Sequence, residues 1–231
     1  MKIALLPGVF FPQPGGAQVQ THNLANKLVK LGHQVDVYLL NKTNLKNNLY
    51  NIIVINRFFL SLFFYLYLYL RIDLSFIFKI FFLIFLRKKN YDIFHFQLLN
   101  FKMLYILKIL KNLNQKVVVT FQGIDIQIDK TINYGYRLDQ RYNKIFLENI
   151  YKIDYFFSIS FNITQDLLNL GINQNKIVLI PNAVEKEKFL IYQNLKDDIS
   201  NKLNLVTVAR FAESKKGFDL IPEIARILKK K

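Results

Sequence analysis

The sequence predicts an α/β fold built on a doubly wound parallel sheet, and three observations lead to this prediction. Short apolar runs alternate with helical stretches along most of the 231 residues. Glycine and proline residues interrupt the pattern where strands and helices would end. The hydrophobic fraction of 52% is ample for a buried core and argues against disorder.

The first βα unit lies within residues 1–40. The apolar run Ile3–Leu6 predicts a strand, and the apolar residues from Val35 to Leu40 predict the next one. A helix between them begins just after Gly16 and ends near Gly32, because glycine enters the left-handed cap without steric cost. One face of this helix is apolar: Leu24, Ala25, Leu28 and Leu31.

Gly15 and Gly16 form the corner between the first strand and this helix. Because glycine has no Cβ, a bound group can approach the backbone there, and the helix amides and dipole favour a phosphate or diphosphate. A tight βα turn without any ligand explains the same two glycines. The dinucleotide spacing G-x-G-x-x-G is absent.

The remaining βα units follow in order. Further strands are predicted at 52–55, 91–97, 116–120, 154–160 and 176–180, and helices at 103–113, 137–151 and 163–170. Residues 1–183 are therefore predicted to be one domain. The polar residues 184–202 are predicted to form a linker, and residues 203–231 the first βα unit of a second, incomplete domain, with a strand at Leu203–Val208.

Residues 58–86 form a hydrophobic segment that interrupts this series. Arg71, Asp73 and Lys79 lie inside it, and each would cost about 2.5–3.5 kcal/mol near a bilayer centre. Three interpretations stay open: buried helices on the sheet, an interfacial helix followed by the basic residues 87–89, or a membrane span.

The formal net charge of +16 indicates an affinity for anionic surfaces. The lysines are spread along the chain and no nucleic-acid-binding module is recognisable, so an anionic membrane is favoured over nucleic acid as a partner. There are no cysteines, and no histidine pair with a carboxylate has metal-ligand spacing, so we expect no metal site. The initial apolar run is too short for a signal peptide, and we expect a cytoplasmic protein, peripheral at the membrane.

Several stretches resemble the nucleotide-sugar glycosyltransferases of the GT-B fold, in the retaining family 4 group. They include FPQPGGAQVQTHNLANKLVKLGHQV, YDIFHFQ and VVVTFQGID, then IPNAVEKEKF followed by ARFAESKKG, which is the most specific part. The resemblance implies two Rossmann-like domains, with residues 1–183 on the acceptor side. It implies a UDP- or GDP-sugar donor, no cofactor or metal, and a glycan or lipid-linked acceptor of polysaccharide or lipopolysaccharide biosynthesis.

The resemblance also assigns residues to the donor diphosphate. Gly15 and Gly16 would contact it from one side, and Arg210 and Lys216 match the Arg and Lys that hold it from the other. Such cations stabilise the negative charge that grows on the phosphate oxygens as the sugar leaves.

Three departures from the family pattern affect the expected activity. Gln122 stands where the family usually has histidine, and Ala183 replaces the usual glycine after Pro-Asn. Glutamine can hydrogen-bond a sugar hydroxyl but does not titrate, which puts a role of Gln122 in proton transfer in doubt. The candidate catalytic residues are Gln122, Asp125 and His95. Asp125 could instead cap a helix, and His95 could instead be a packed core residue.

The third departure is that the paired glutamates of the donor domain would lie beyond Lys231. We therefore expect the isolated chain to be an inactive, truncated glycosyltransferase. The alternative is a non-catalytic, membrane-associated remnant of such an enzyme.

Overall fold

A computed structural model describes residues 1–12, 15–46, 48–55, 61–62, 65–66, 89–184, 205–209 and 216–228. The chain divides into two compact units. The first comprises Met1–Asp129 and Asn133–Ala183, and the second comprises Lys130–Ile132 and Val184–Lys231. Most of the hydrophobic segment 58–86 and nearly all of the predicted linker 184–202 lie outside the described residues.

The first unit alternates strands and helices. Its strands are β1 (Lys2–Pro7), β2 (Gln34–Leu39), β3 (Asn51–Val54), β4 (Ile93–Gln97), β5 (Val117–Phe121), β6 (Tyr155–Ser158) and β7 (Ile177–Leu179). Its helices are α1 (Gly16–Lys30), α2 (Phe101–Asn112), α3 (Gln140–Ile150) and α4 (Phe161–Asn169), with 3₁₀ turns at Tyr136–Leu138 and Gln174–Lys176.

The seven strands form one parallel sheet in the order β3-β2-β1-β4-β5-β6-β7. Ala4 of β1 lies opposite Asp36 of β2 on one side and Phe94 of β4 on the other. The chain thus winds outward in both directions from β1, and the predicted doubly wound parallel sheet is confirmed. The carboxyl ends of β1 and β4 flank the point where the winding direction changes, which is where such sheets bind ligands.

Alternate residues of each strand pack into two separate cores. Ile3 and Leu5 of β1 pack with Ala25 of α1 on one face of the sheet. Ala4 and Leu6 pack into the larger core on the other face, which contains residues of α2, α3 and α4. Burial on both faces explains why these strands are apolar at nearly every position instead of every second one.

Polar side chains fix the starts of three helices. Asn100 Oδ1 accepts a hydrogen bond from the Met103 N–H at 3.0 Å, and Asp139 Oδ1 accepts one from the Arg141 N–H at 2.8 Å. The Ser160 hydroxyl accepts one from the Ile163 N–H at 3.4 Å. These caps set the starts of α2 and α4 at Phe101 and Phe161, two residues earlier than predicted, because a helix begins directly after its cap residue.

In the second unit the described residues contain one α-helix, α5 (Ile221–Leu228), which follows a 3₁₀ turn at Phe218–Leu220. The strand predicted at Leu203–Val208 is not formed in the described residues 205–208. Val206 and Val208 are 83% and 92% exposed there, and no described residue pairs with them. A strand is defined by its hydrogen-bonded neighbour, which an apolar run in a sequence does not itself supply.

Candidate functional site

The carboxyl ends of β1, β4 and β5 bring three loops together at the edge of the sheet. Gly8 follows β1, and its N–H donates to the carbonyl of Gln97 at 2.8 Å. The N–H of Leu98, which follows β4, donates to the carbonyl of Thr120 on β5 at 3.1 Å. The strand ladder therefore continues into the loops, and side chains that are distant in sequence meet at this edge.

The start of α1 lacks the side-chain cap that the other three helices have. Gly15 is the cap residue, its φ of 168° is extended, and it has no side chain that could cap the first turn. The Gln18 Oε1 atom lies 2.5 Å from where a Cβ on Gly15 would stand. A Cβ on Gly16 would meet nothing within 4 Å, so this backbone faces open space. The described geometry leaves the amides of Gly16, Ala17 and Gln18 available to an external acceptor such as a phosphate oxygen.

A chain of amide side chains runs along the same edge in one hydrogen-bonding direction. Asn182 Nδ2 donates to Gln122 Oε1 at 3.4 Å, and Gln122 Nε2 donates to Gln97 Oε1 at 3.3 Å. Gln97 Nε2 donates in turn to His95 Nε2 at 3.2 Å. The Gln122 side chain is thereby held by two partners, and its amide can both donate to and accept from a sugar hydroxyl.

His95 lies at the buried end of this chain. Its Nε2 is 2.7 Å from the Thr120 hydroxyl, and its ring packs edge-on against Phe157 with centroids 5.3 Å apart. Burial lowers the pKa of His95 to about 4, because the charged ring would lose its hydration. His95 is therefore neutral at pH 7 and contacts protein groups on the sheet.

Asp125 is completely buried below the loop that carries Gln122. One carboxylate oxygen accepts from the N–H groups of Gln122 and Gly123, and the other from the N–H of Leu99. Burial raises the pKa of Asp125 to about 6, although these three hydrogen bonds favour the ionised form. The carboxylate fixes the loops after β4 and β5 and so positions Gln122.

A second amide joins α1 to the end of the first unit. Gln20 Nε2 donates to the carbonyl of Ala183, and the N–H of Ala183 donates back to Gln20 Oε1 at 3.3 Å. The loop that follows β7 is thus attached to the helix that begins at Gly16. The alanine that departs from the family pattern contributes only backbone groups to this contact.

Arg210 and Lys216, the two predicted cationic ligands of the diphosphate, do not lie among the described residues of the first unit. Arg210 lies outside the described residues, and Lys216 is an exposed residue of the second unit. The pairing of these residues with Gly15 and Gly16 across a diphosphate stays a prediction.

The other two histidines have structural contacts. His22 Nδ1 lies 2.8 Å from the Tyr50 hydroxyl, and Asn26 Nδ2 lies 3.1 Å from His22 Nε2. His33 lies in the turn before β2, with Nδ1 3.5 Å from the amino terminus. Among the described residues, no three histidine, aspartate or glutamate side chains are grouped to hold a metal ion. No helix in the described part of the chain is long and apolar enough to cross a membrane.

Sequence reasoning missed Gln97, Asn182 and Gln20. Each is a neutral amide, a residue type without a distinctive spacing. Gln97 meets Gln122 at the ends of the paired strands β4 and β5, whereas Gln20 on α1 and Asn182 after β7 meet their partners through the tertiary fold. Their position at the carboxyl ends of strands is the signal that could have identified two of them, because Gln97 ends β4 and Asn182 follows β7 and Pro181.

The seven-stranded parallel sheet with flanking helices defines an α/β protein with a Rossmann-like fold, and the glycine corner lies at the carboxyl edge of that sheet. The family model Glycosyltransferase Family 4 matches residues 14–188. The chain belongs to this family. No curated protein sequence matches the chain.

Solved structures share the fold at low sequence identity. A glycosyltransferase from Rickettsia africae ESF-5 is 20% identical over 81% of this chain and 44% of its own, with a TM-score of 0.54. Anabaena HepE in complex with UDP-glucose is 14% identical over 80% and 44%, with a TM-score of 0.55. Sucrose-phosphate synthase from Thermosynechococcus elongatus is 12% identical over 78% and 47%, with a TM-score of 0.52. This chain spans less than half the length of these structures.

Proposed function

We propose that the chain takes part in the transfer of a sugar from a UDP- or GDP-sugar to an acceptor hydroxyl, with retention of the anomeric configuration. The bond between the anomeric carbon and the diphosphate oxygen breaks, the acceptor oxygen forms the new bond to that carbon, and the acceptor's proton passes to the leaving diphosphate. The family membership supports glycosyl transfer. The HepE structure with bound UDP-glucose supports a nucleotide-sugar donor by analogy of fold.

The uncapped start of α1 at Gly15 and Gly16 is the observation that carries the donor site. Its amides lie at the carboxyl edge and the Gly16 backbone faces open space. In the proposal these amides contact the leaving diphosphate, with Arg210 and Lys216 as its cationic partners. The amide of Gln122 serves as a neutral hydrogen-bonding group for a sugar hydroxyl and takes no part in proton transfer.

Calorimetric titration of the chain with UDP, GDP and their sugars tests this proposal and identifies the donor base. We expect one nucleotide series to bind, with the diphosphate forms binding more tightly than the nucleoside monophosphates. A turnover assay with an added acceptor is followed by proton NMR, and the anomeric configuration of any product that forms tests retention. The expected inactivity of the isolated chain stays a prediction, and the same turnover assay tests it. A failure of every nucleotide diphosphate to bind would overturn the donor assignment.

The acceptor in this proposal is a glycan or lipid-linked glycan of cell-surface polysaccharide synthesis, met at the cytoplasmic face of the membrane. The net charge of +16 supports peripheral binding to anionic lipid. Liposome flotation tests it: the chain should float with vesicles that contain an anionic phospholipid and stay at the bottom with neutral vesicles or at high salt. Equal behaviour on both vesicle types would contradict the membrane association.

A further inference from the structure

A cavity of about 840 Å³ opens at the carboxyl edge of the sheet, and the donor assignment above makes no use of it. The segments after β1 and β2 and the starts of α2 and α3 line it. Its described lining includes neither Gly15, Gly16 nor Gln122. The volume lies in the range of ligand sites and is far larger than a bare phosphate group requires.

Basic side chains dominate the charge of this cavity. Among its described lining residues, Lys42, Lys102 and Arg141 stand against one carboxylate, that of Asp139. That carboxylate already accepts from the N–H groups of Arg141 and Tyr142 and pairs with the Arg141 guanidinium at 3.3 Å. Its negative charge is therefore balanced locally by the helix start and by Arg141, and the cavity keeps an excess of positive charge.

Aromatic rings form the apolar part of the lining. Phe10 and Phe11 pack edge-on with ring centroids 5.3 Å apart, and Phe101 packs against Tyr142 at 4.9 Å. Pro7, Pro12 and Leu39 also line the cavity. Aromatic rings and aliphatic side chains in one cavity with three cations favour a ligand that has an anionic head and an apolar body.

One neutral polar side chain of the cavity, that of Asn100, is engaged in holding the fold. The Asn100 side chain caps α2 through the Met103 N–H and donates to the carbonyl of Gly8. Lys102 Nζ donates to the Ser61 hydroxyl at 3.0 Å, which holds this cation at the cavity. A glycan chain would need several amide or carboxylate partners for its hydroxyls. The described lining supplies Asn41, Asn100 and Asp139, and the last two already cap helices.

We infer that this cavity binds a phosphate or diphosphate group joined to an apolar chain, and that this group is part of the acceptor. The role of this ligand as the acceptor rests on the proposed function. The chemistry of the ligand follows from the cavity lining alone. Lys42, Lys102 and Arg141 contact the phosphate oxygens, and the three phenylalanines contact the first carbons of the apolar chain.

Calorimetry with farnesyl diphosphate below its critical micelle concentration tests this inference, with inorganic diphosphate and farnesol as the separate parts of the ligand. We expect farnesyl diphosphate to bind at least about tenfold more tightly than either part, because both portions of the lining contribute. Excess UDP should leave this binding unchanged. Binding no tighter than that of inorganic diphosphate, or displacement by UDP, would overturn the inference.

A matched pair of variants separates the cavity from the general positive charge. Lys42→Gln with Arg141→Gln removes two exposed cations of the cavity, and we expect about a tenfold or larger loss of affinity for farnesyl diphosphate. Lys27→Gln with Lys144→Gln removes the same charge from exposed positions outside the lining and should have little effect. Equal losses in the two double variants would refute the site.

UDP- and GDP-sugar binding, measured on the same proteins, keeps this inference distinct from the proposed function. Farnesyl diphosphate binding without any nucleotide-sugar binding would reject the donor assignment and keep the cavity assignment. Nucleotide-sugar binding without farnesyl diphosphate binding would reject the cavity assignment alone.

Discussion

The buried Asp125 carboxylate accepts a hydrogen bond at 3.0 Å from the backbone N–H of Leu99, which lies 26 positions earlier in the chain. The residue between Leu99 and β4 is Leu98, whose φ of 71° is left-handed and unfavourable for a side chain of its size. Asp125 and the Leu98–Thr120 backbone bond hold this turn in place. The loop of Gln122 and the loop after β4 therefore depend on one carboxylate.

Asp125 should make the protein less stable as the pH rises. Burial raises its pKa from 3.8 to about 6, so the folded state binds the proton more tightly than the unfolded state. The contribution of Asp125 to the free energy of unfolding falls by about 3 kcal/mol between pH 4 and pH 7, at about 1.4 kcal/mol per pKa unit. Urea unfolding of the wild type and Asp125→Asn across this range should give a difference that shrinks with rising pH; a constant difference would contradict it.

His95 should make the protein more stable as the pH rises, over nearly the same pH range. Burial lowers its pKa from 6.5 to about 4, so the unfolded state takes up the proton first as the pH falls. The contribution of His95 to the free energy of unfolding is complete above pH 6.5 and decreases by about 3 kcal/mol toward pH 4. The stability of His95→Gln relative to the wild type should therefore rise on acidification. The two slopes largely cancel in the wild type, and only the single variants separate them.

Gly8 and Gly16 should respond oppositely to the same substitution. A Cβ on Gly8 would lie 2.3 Å from the Leu98 carbonyl oxygen, a backbone atom that cannot move without disturbing β1 and β4. We expect Gly8→Ala to lower the free energy of unfolding by about 1–3 kcal/mol. Gly16→Ala has open space and a helical position, so it should be neutral or stabilising by up to about 1 kcal/mol. Urea unfolding of both variants measures the contrast, and equal effects would refute it.

Gly16→Ala should also weaken the binding of the nucleotide diphosphate while the fold is kept. The new methyl group would occupy the space that the proposed donor phosphates approach, and we expect a loss of affinity of about tenfold. Lys30→Ala, at the exposed far end of α1, serves as the control. Unchanged affinity in Gly16→Ala, measured by calorimetry with the preferred nucleotide, would place the diphosphate elsewhere.

The contact between Gln20 and Ala183 should be visible in hydrogen exchange. Gln20→Leu removes both hydrogen bonds and leaves the N–H of Ala183 without its acceptor. At about 1 kcal/mol for such a bond, the exchange of the Ala183 amide should accelerate about fivefold, with little change in global stability. Gln165→Leu, which removes an exposed side-chain bond within α4, is the control. Unaltered exchange at Ala183 would mean that the contact does not hold the loop.

The order and type of the elements in the first unit followed from the sequence because burial leaves a strong local pattern. The strand predicted at 116–120 is observed at Val117–Phe121, and the helix predicted to begin just after Gly16 begins at Gly16. Apolar spacing alone predicts the start of α4 at Ile163, and the cap residue Ser160 explains the observed start at Phe161. The structure places Asp125 where it hydrogen-bonds backbone amides of both the loop after β4 and the loop after β5.

The arrangement of the candidate site was less accessible to sequence reasoning. Gly15 and Gly16 are recognisable in the sequence as a glycine corner. Gln122, in contrast, contacts Gln97 and Asn182, which lie 25 and 60 positions away from it in the chain. Such partners are set by the strand order and the register of the sheet. The cavity is hidden for the same reason, because its basic and aromatic side chains come from four separate loops and helix starts.

The two bonds between Gln20 and Ala183 join α1, the helix that begins at the glycine corner, to the last residue of the first unit. A displacement of Ala183 would therefore act on the second turn of α1, which lies about one helical turn from the amides of Gly16 and Ala17. A shift of that helix by even an ångström would change how well those amides fit an incoming anion. The affinity for an anion at the glycine corner therefore depends on the position of the chain at Ala183.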